Sequence, residues 1–415
     1  MNMNILTASS EKFFKYMMVM LTSLFHSNAG DTFDLYFMHK GLSEDMIQSL
    51  ESLTDAHNSR LHSIIVDADL FAGFPTRMVG PVEAYFRLSM MEYLPHDLER
   101  ILYLDSDMIV DKPIRKFYEA DFEGNSLVAC VDFGINYLME PFTVKHGVSR
   151  DYPYFNSGVM LLNMGKFREL GIGMPYFRRV LENLTSDLVL GDQDLLNIVF
   201  HDKVKLLDFA KFNFQPLDLI HNKPYKVDPQ TSDDPEFASI VHYTGYKPWD
   251  QWIVNPGSEM DELWWRYARM TPACKQMESD FKQSVFKRMT LYQQYFFSVS
   301  KYLANRVKGK SFGAFLCEKG YRTIALYGSN YFAEILYTDL AGSGVSISYI
   351  MDTYDRRKFC GMRVLAPSEL KTLDPVDAII VTAFFYYGEI AAGLDTEIPV
   401  VSLEKLIDQL DREEN

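Results

Sequence analysis

Through its first 265 or so residues the chain alternates short apolar runs with longer stretches that carry apolar residues along one stripe. This alternation constrains the fold more than any other feature. Strands are expected at 4–8, 33–39, 62–66 and 100–104, and helices at 15–26, 44–56 and 81–93. Strands separated by helices of this length build a mostly parallel α/β sheet with helices on both faces. Ligands of such sheets sit at the carboxyl ends of the strands.

From about 264 to 310 the pattern changes. Gly and Pro almost vanish and the periodicity becomes helical. Between Lys275 and Lys310 stand eight Lys or Arg against two acids, inside a chain whose 41 basic and 56 acidic residues give a formal net charge of −15. Phe281, Phe286, Tyr292, Tyr295, Phe296, Phe297 and Tyr302 are interleaved with them. The segment reads either as amphipathic helices packed on their neighbours or as a helix lying on an anionic membrane surface. From about 311 a second α/β unit begins. It has strands expected at 323–327, 346–350, 378–382 and 399–402, a Gly328-Ser329-Asn330-Tyr331 turn and a helix at 332–340. The expected division is 1–265, 266–310 and 311–415.

Several classes are excluded or disfavoured. The acidic balance argues against nucleic acid as a partner of the whole chain, because polyanion binding needs a positive footprint. No run of about 18 apolar residues indicates a transmembrane helix. The start, Met1-Asn2-Met3-Asn4-Ile5-Leu6, lacks the basic-then-apolar pattern of a signal peptide. Cys130, Cys274, Cys317 and Cys360 are scattered without a CxxC, which fits free thiols in a reducing cytoplasm.

The chemistry-bearing residues fall where the strands end. Ile101-Leu102-Tyr103-Leu104 runs into Asp105-Ser106-Asp107, an apolar strand that delivers two carboxylates as it leaves the sheet. Hard divalent cations take such oxygen ligands, commonly shared with a diphosphate. By itself Asp-x-Asp also describes a solvated turn. His242-Tyr-Thr-Gly245-Tyr-Lys247-Pro248-Trp249 groups a ligand for a borderline metal, a glycine that lets backbone approach a phosphate, and a point charge to meet it. Asn156-Ser157-Gly158 offers amide and hydroxyl groups to sugar hydroxyls. Gly191-Asp192-Gln193-Asp194 opens a helical run, where Asp192 has the alternative of being an N-cap. Asp132 follows the apolar run ending at Val131, and Tyr85-Phe86-Arg87 offers a cation to a phosphate or an acidic site.

In order and spacing these blocks, with Lys211-Phe212-Asn213-Phe214, resemble the family 8 glycosyltransferases, over residues 1 to about 255. The resemblance implies the GT-A nucleotide-diphospho-sugar transferase fold, followed here by the helical segment and a small Rossmann-like domain. It implies a UDP-hexose donor, UDP-glucose or UDP-galactose, and Mn²⁺, or Mg²⁺ in its place, held by Asp105, Asp107 and His242. Gly245 and Lys247 would bind the diphosphate, and Ala8 and Phe13 would lie at the uracil. Arg87, Ser106, Asn156 and Ser157 would line the donor, with Asp132, Asp192 and Gln193 at the reaction centre. Ser10 stands where the family commonly carries an Asp on the uracil ring. It offers a neutral hydrogen bond in place of a charged one, which is weaker.

The reading that follows is a retaining hexosyltransferase acting on a surface glycan or glycolipid. A self-glucosylating primer and a non-catalytic nucleotide-sugar sensor are the alternatives. Gln193 would face the far side of the anomeric carbon. An amide is a poor nucleophile, so attack on the face vacated by the leaving group is favoured over a covalent intermediate on Asp132 or Asp192. In the C-terminal unit, Gly328-Ser329-Asn330-Tyr331-Phe332-Ala333 keeps one glycine of G-x-G-x-x-G, which disfavours dinucleotide binding. A packing or partner-binding role is expected there, with a bound nucleotide or nucleotide-sugar and independent catalysis as the alternatives.

Overall fold

The computed structural model describes residues 1–75, 82–138, 142–184, 188–216, 238–244, 247–250, 259–353 and 358–412. The chain forms two compact units, Met1–Lys282 and Gln283–Asn415. The division falls inside the 266–310 stretch.

The first unit opens with β1 (Asn2–Ala8), α1 (Phe14–Ser27), β2 (Thr32–His39), α2 (Glu44–Ala56) and β3 (Arg60–Ile65), close to the expected ranges. β4 (Arg100–Leu104), β5 (Met108–Val110), β6 (Leu127–Val131), β7 (Phe155–Asn163), α3 (Asp192–Phe200), β8 (Val204–Leu207), β9 (Ile240–His242) and α4 (Glu259–Ala268) follow. The seven-stranded sheet has the order β3-β2-β1-β4-β7-β6-β8. Every neighbouring pair is parallel except those made by β7, which runs against β4 and β6. β5 and β9 form a separate antiparallel ribbon.

Strand alternation sorts side chains between two cores. Ile101 and Tyr103 of β4 face one, with Phe86, Phe155 and Phe200, while Leu102 and Leu104 face the other, with Met17, Phe25, Phe37 and Phe117. A third cluster gathers Trp249, Trp264 and Trp265 on Val19 and Met277. The expected helix at 81–93 is corrected. Val82–Ser89 winds as a 3₁₀ helix, and only Met90–Tyr93 is α-helical. Three residues per turn stack i on i+3. That brings Ala84 and Arg87 to one side, where Arg87 Nε donates to the Ala84 carbonyl at 3.1 Å.

One helix, α5 (Cys274–Val307), carries most of the basic aromatic segment. In the second unit β10 (Thr323–Tyr327), α6 (Tyr331–Asp339) and β11 (Ser346–Met351) match the expected strand-turn-helix-strand. β12 (Lys358–Phe359) and β13 (Met362–Leu365) were not foreseen; β14 (Ala378–Val381), β15 (Val400–Ser402) and α7 (Leu403–Arg412) complete the unit. The sheet order is β12-β13-β11-β10-β14-β15, parallel except for the β12–β13 edge. Gly328 has φ +110°, and a Cβ there would stand 2.7 Å from Thr382 Oγ1, so this turn requires glycine.

Candidate active site

The site begins where β4 ends. Asp105 N–H still bonds the Gly158 carbonyl of β7 at 2.9 Å, and then the chain turns away through Ser106 and Asp107 into β5. Pairing of β5 with β9 sets Met108 opposite His242. Residues far apart in sequence thereby meet. His242 Nε2 lies 3.2 Å from Asp107 Oδ1 and 3.8 Å from Asp105 Oδ2. One ligand atom from each of the three falls within 4.8 Å of the others. Gly158 makes this space. A Cβ on it would stand 2.2 Å from His242 Cε1 and 2.7 Å from Asp105 Oδ2. Two carboxylate oxygens and an imidazole nitrogen converging on a glycine-lined hollow fit a divalent cation.

Cations already surround the carboxylates. Arg87 is buried, with Nη2 2.7 Å from Asp105 Oδ1 and Nε 3.2 Å from Asp192 Oδ2. Its guanidinium lies 4.0 Å from the Tyr103 ring centre, and the Tyr103 hydroxyl donates to Asp105 Oδ1 at 2.7 Å. Lys247 Nζ donates to Asp107 Oδ2 and to the Tyr243 carbonyl, both at 2.5 Å. Burial opposes the charge on Asp107, but Lys247 and His242 outweigh it and hold the carboxyl far below the usual carboxylate range. Asp192 differs: burial wins over Arg87 and pushes its carboxyl up to about 6.

Behind the carboxylates runs a chain of amides. Asp132 Oδ2 accepts from Asn156 Nδ2 at 3.0 Å and from Gln193 Nε2 at 3.2 Å, while its Oδ1 accepts from the Ile135 N–H. Gln193 Oε1 accepts from the Ser157 N–H at 2.9 Å. Asp192 is not an N-cap. Gly191, at φ +51°, occupies that position, and Asp192 is the first residue of α3. It is Asp194 that ties the preceding turn, accepting from the Val189 and Leu190 N–H groups and from the Tyr154 hydroxyl.

A cleft of about 300 Å³ opens on these groups. Ala8, Ser10, Phe13, Arg87, Asp105, Ser106, Asp107, Ser157, Asp192 and Gln193 line it. His242, Lys247, Asn156 and Asp132 stand behind this lining, each within hydrogen-bond or ion-pair reach of a lining residue or its partner. Gly245 lies outside the described residues. Reasoning from sequence assigned no role to four contributors, Glu83, Tyr103, Gly158 and Asn213, although Gly158 and Asn213 stand inside blocks that carry the family resemblance. Glu83 lines the cleft with both carboxylate oxygens buried and without a hydrogen bond, Lys40 Nζ lying 3.6 Å from one of them. Tyr103 and Gly158 carried a signal, a polar tip inside an apolar strand and a glycine inside another. Asn213 was legible only as part of the Lys211-Phe212-Asn213-Phe214 block, since nothing in sequence links it to His242.

Solved structures share this architecture. The galactosyltransferase LgtC, in complex with donor and acceptor sugar analogs, superposes with a TM-score of 0.54 at 23% identity, covering 65% of this chain and 96% of that one. An active-site mutant of LgtC gives a TM-score of 0.57 at 24% identity over the same shares. Sheet order and acid pair therefore define a GT-A-fold protein. The profile of glycosyl transferase family 8 matches residues 4–253, and the chain belongs to that family. The glycosyltransferase GlyF of Streptococcus pneumoniae serotype 4 is 30% identical over 237 residues, 56% of this chain and 54% of that protein. The lipopolysaccharide 1,3-galactosyltransferase of Salmonella typhimurium is 28% identical, over 52% of this chain and 64% of its own length. A lipopolysaccharide 1,2-glucosyltransferase of Escherichia coli is 24% identical, over 56% and 69%. The chain thus spans between about half and two-thirds of the length of these relatives.

Proposed function

We propose that this chain is a retaining hexosyltransferase that moves glucose or galactose from a UDP-sugar to a glycan or glycolipid acceptor, with Mn²⁺ or Mg²⁺ held by Asp105, Asp107 and His242. The observation that carries the reading is the convergence of these three ligands on Gly158 at one wall of the cleft. A bound divalent cation would neutralise the diphosphate and the charge that grows on it as the sugar departs. Lys247, beside Asp107, adds a point charge where that growth occurs. Ala8, Ser10 and Phe13 offer the uridine a ring face and a neutral acceptor. Glu83, with two unbonded oxygens, suits the hydroxyls of a sugar.

In the reaction, the bond between the anomeric carbon and the diphosphate oxygen breaks, and the acceptor's hydroxyl oxygen bonds that carbon on the same face. The hydroxyl proton passes to the leaving diphosphate. The same-face route is supported by the state of the alternatives. Both oxygens of Asp132 are taken by N–H donors, both ends of the Gln193 amide are hydrogen-bonded, and Asp192, the other carboxylate, is buried and ion-paired with Arg87.

No helix among the described residues is long and apolar enough to cross a membrane. We place the protein in the cytoplasm, at the inner face of the membrane, where the α5 face would meet anionic lipid and a lipid-linked acceptor. Calorimetry with UDP-glucose and UDP-galactose tests the central claim. Affinity is expected to depend on Mn²⁺ or Mg²⁺ and to be lost in Asp107→Ala. Metal-dependent affinity that survives that substitution would overturn the ligand assignment.

A further inference from the structure

Asn156, Asn213 and His242 are all buried. They form a line of hydrogen bonds whose direction can be worked out from its two ends. The Gly158 N–H can only donate, and it bonds Asn156 Oδ1 at 2.9 Å. The other end of the same amide, Nδ2, faces Asp132 Oδ2 at 3.0 Å, an oxygen that also takes the Gln193 amide. An ionised carboxylate only accepts. The orientation of Asn156 is therefore locked twice, by a donor on one side and an acceptor on the other. Asn156 Oδ1 then faces Asn213 at 2.9 Å and can only accept from it, so Asn213 must present Nδ2 there. This leaves Asn213 Oδ1, which lies 3.0 Å from His242 Nδ1. An amide oxygen only accepts, so the histidine must carry a proton on Nδ1.

We infer that Asn156 and Asn213 are positioning residues that fix the protonation pattern of His242 from a backbone N–H of β7. With the proton held on Nδ1, the lone pair of Nε2 is the one available to a cation, and Nε2 is the nitrogen facing Asp105 and Asp107. A metal-bound histidine needs this support, because the partner of its other nitrogen sets both tautomer and ring orientation. The usual partner is a carboxylate, a carbonyl or water. Here it is an amide, and the reason is visible in the network. A carboxylate at 213 would set two acceptors against each other at Asn156 Oδ1. It would also add a charge behind a site that already holds two. The same glycine thus serves the site twice: its missing Cβ leaves room for the ligands, and its N–H sets the direction of the relay.

The inference rests on the assignment of His242 as a ligand, but its test does not depend on donor or acceptor. The full chain is loaded with Zn²⁺, a diamagnetic stand-in, and the His242 ring nitrogens are observed by ¹⁵N NMR, with His242→Gln as the control that identifies them. The expected spectrum has the metal on Nε2 and a slowly exchanging proton on Nδ1. Metal on Nδ1, or an Nδ1 proton in free exchange with water, would overturn the relay. No substitution in the relay itself is needed for this result.

Substitution supplies the second arm. Asn213→Leu removes the acceptor at similar volume. It should weaken Mn²⁺ binding, measured with the metal alone by calorimetry, by about 10–100-fold. It should also lose protection of the Nδ1 proton. Asn213→Asp keeps an acceptor on Nδ1 and should restore that protection. A folded Asn213→Leu protein with unchanged Mn²⁺ affinity and a protected Nδ1 proton would overturn the relay. So would equal loss of protection in both variants.

Discussion

At the scale of single residues the site is governed by what is missing from Gly158 and by what burial does to Asp192. Gly158→Ala places a methyl group 2.2 Å from His242 Cε1 in a strand buried almost throughout. Relief requires His242 or β7 to move, and overpacking of this kind costs about 1–3 kcal/mol. A urea melt should show that loss, and calorimetry should show weakened Mn²⁺ binding in the same variant. Asp192 makes a pH prediction. Its carboxyl titrates near 6 in the folded chain, against an ordinary value of 3.8. Between those values the folded state holds a proton that the unfolded state has released. Its contribution to stability is therefore present at low pH and is lost as pH rises through that window. In the metal-free protein, Asp192→Asn should gain stability relative to wild type as pH is raised from 4 to 6, by roughly 2–3 kcal/mol at the plateau. Melting temperatures compared across that range check it. A gap that is constant with pH would show that Asp192 is ionised throughout.

At the scale of elements, α5 has two unlike faces. Within the second unit Tyr295, Val299 and Tyr302 pack with Phe312, Phe332 and Leu406, and Lys301 and Arg306 pair with Asp408 and Asp339. Turned away from that core, Phe286, Met289, Tyr292 and Phe296 are exposed by 74, 57, 56 and 66%, and Phe297 and Leu303 are also exposed. From Phe281 to Cys317 the chain has seven Lys or Arg and no acid, and of these Lys301 and Arg306 are paired with Asp408 and Asp339. A second copy of so basic a helix would repel the first, whereas anionic lipid complements it. Full-length protein should co-sediment with phosphatidylcholine vesicles containing phosphatidylglycerol, and not with phosphatidylcholine alone. Phe286→Ser with Phe296→Ser should weaken binding about tenfold or more, since each inserted ring removes apolar surface from water. Binding that ignores salt and lipid charge, or a dimer abolished by the same substitutions, would refute lipid as the partner.

At the scale of the whole molecule, each unit has its own cores and its own sheet. Separate cores allow separate unfolding. Only the first unit carries the proposed ligands, so Mn²⁺ with UDP should stabilise it alone, by about 2.7 kcal/mol at a hundredfold excess over Kd. Scanning calorimetry should resolve two transitions and show the ligands shifting only one. A uniform shift would mean that the two units unfold as one.

The periodicity of the sequence was enough for β1 to β4 of the first unit, but not for β8 or for the antiparallel direction of β7. Runs such as Ile101-Leu102-Tyr103-Leu104 are local, and their alternation specifies both a strand and its two faces. The Asp105-Ser106-Asp107 exit was legible for the same reason, because a carboxylate pair at a strand end is a local pattern. The short β12–β13 edge and the 3₁₀ winding of Val82–Ser89 were not legible, since two to eight residues carry too little periodicity to separate one winding from another. Tertiary structure alone decided which residues complete the site. Asn213 reaches His242 because Phe214 bridges to β9, the role of Gly158 depends on a histidine far along the chain, and Glu83 became part of the cleft by being buried without a hydrogen bond. Proximity between distant segments is created by sheet pairing, and no local stretch of sequence encodes the direction of a hydrogen bond that only the assembled strands bring into range.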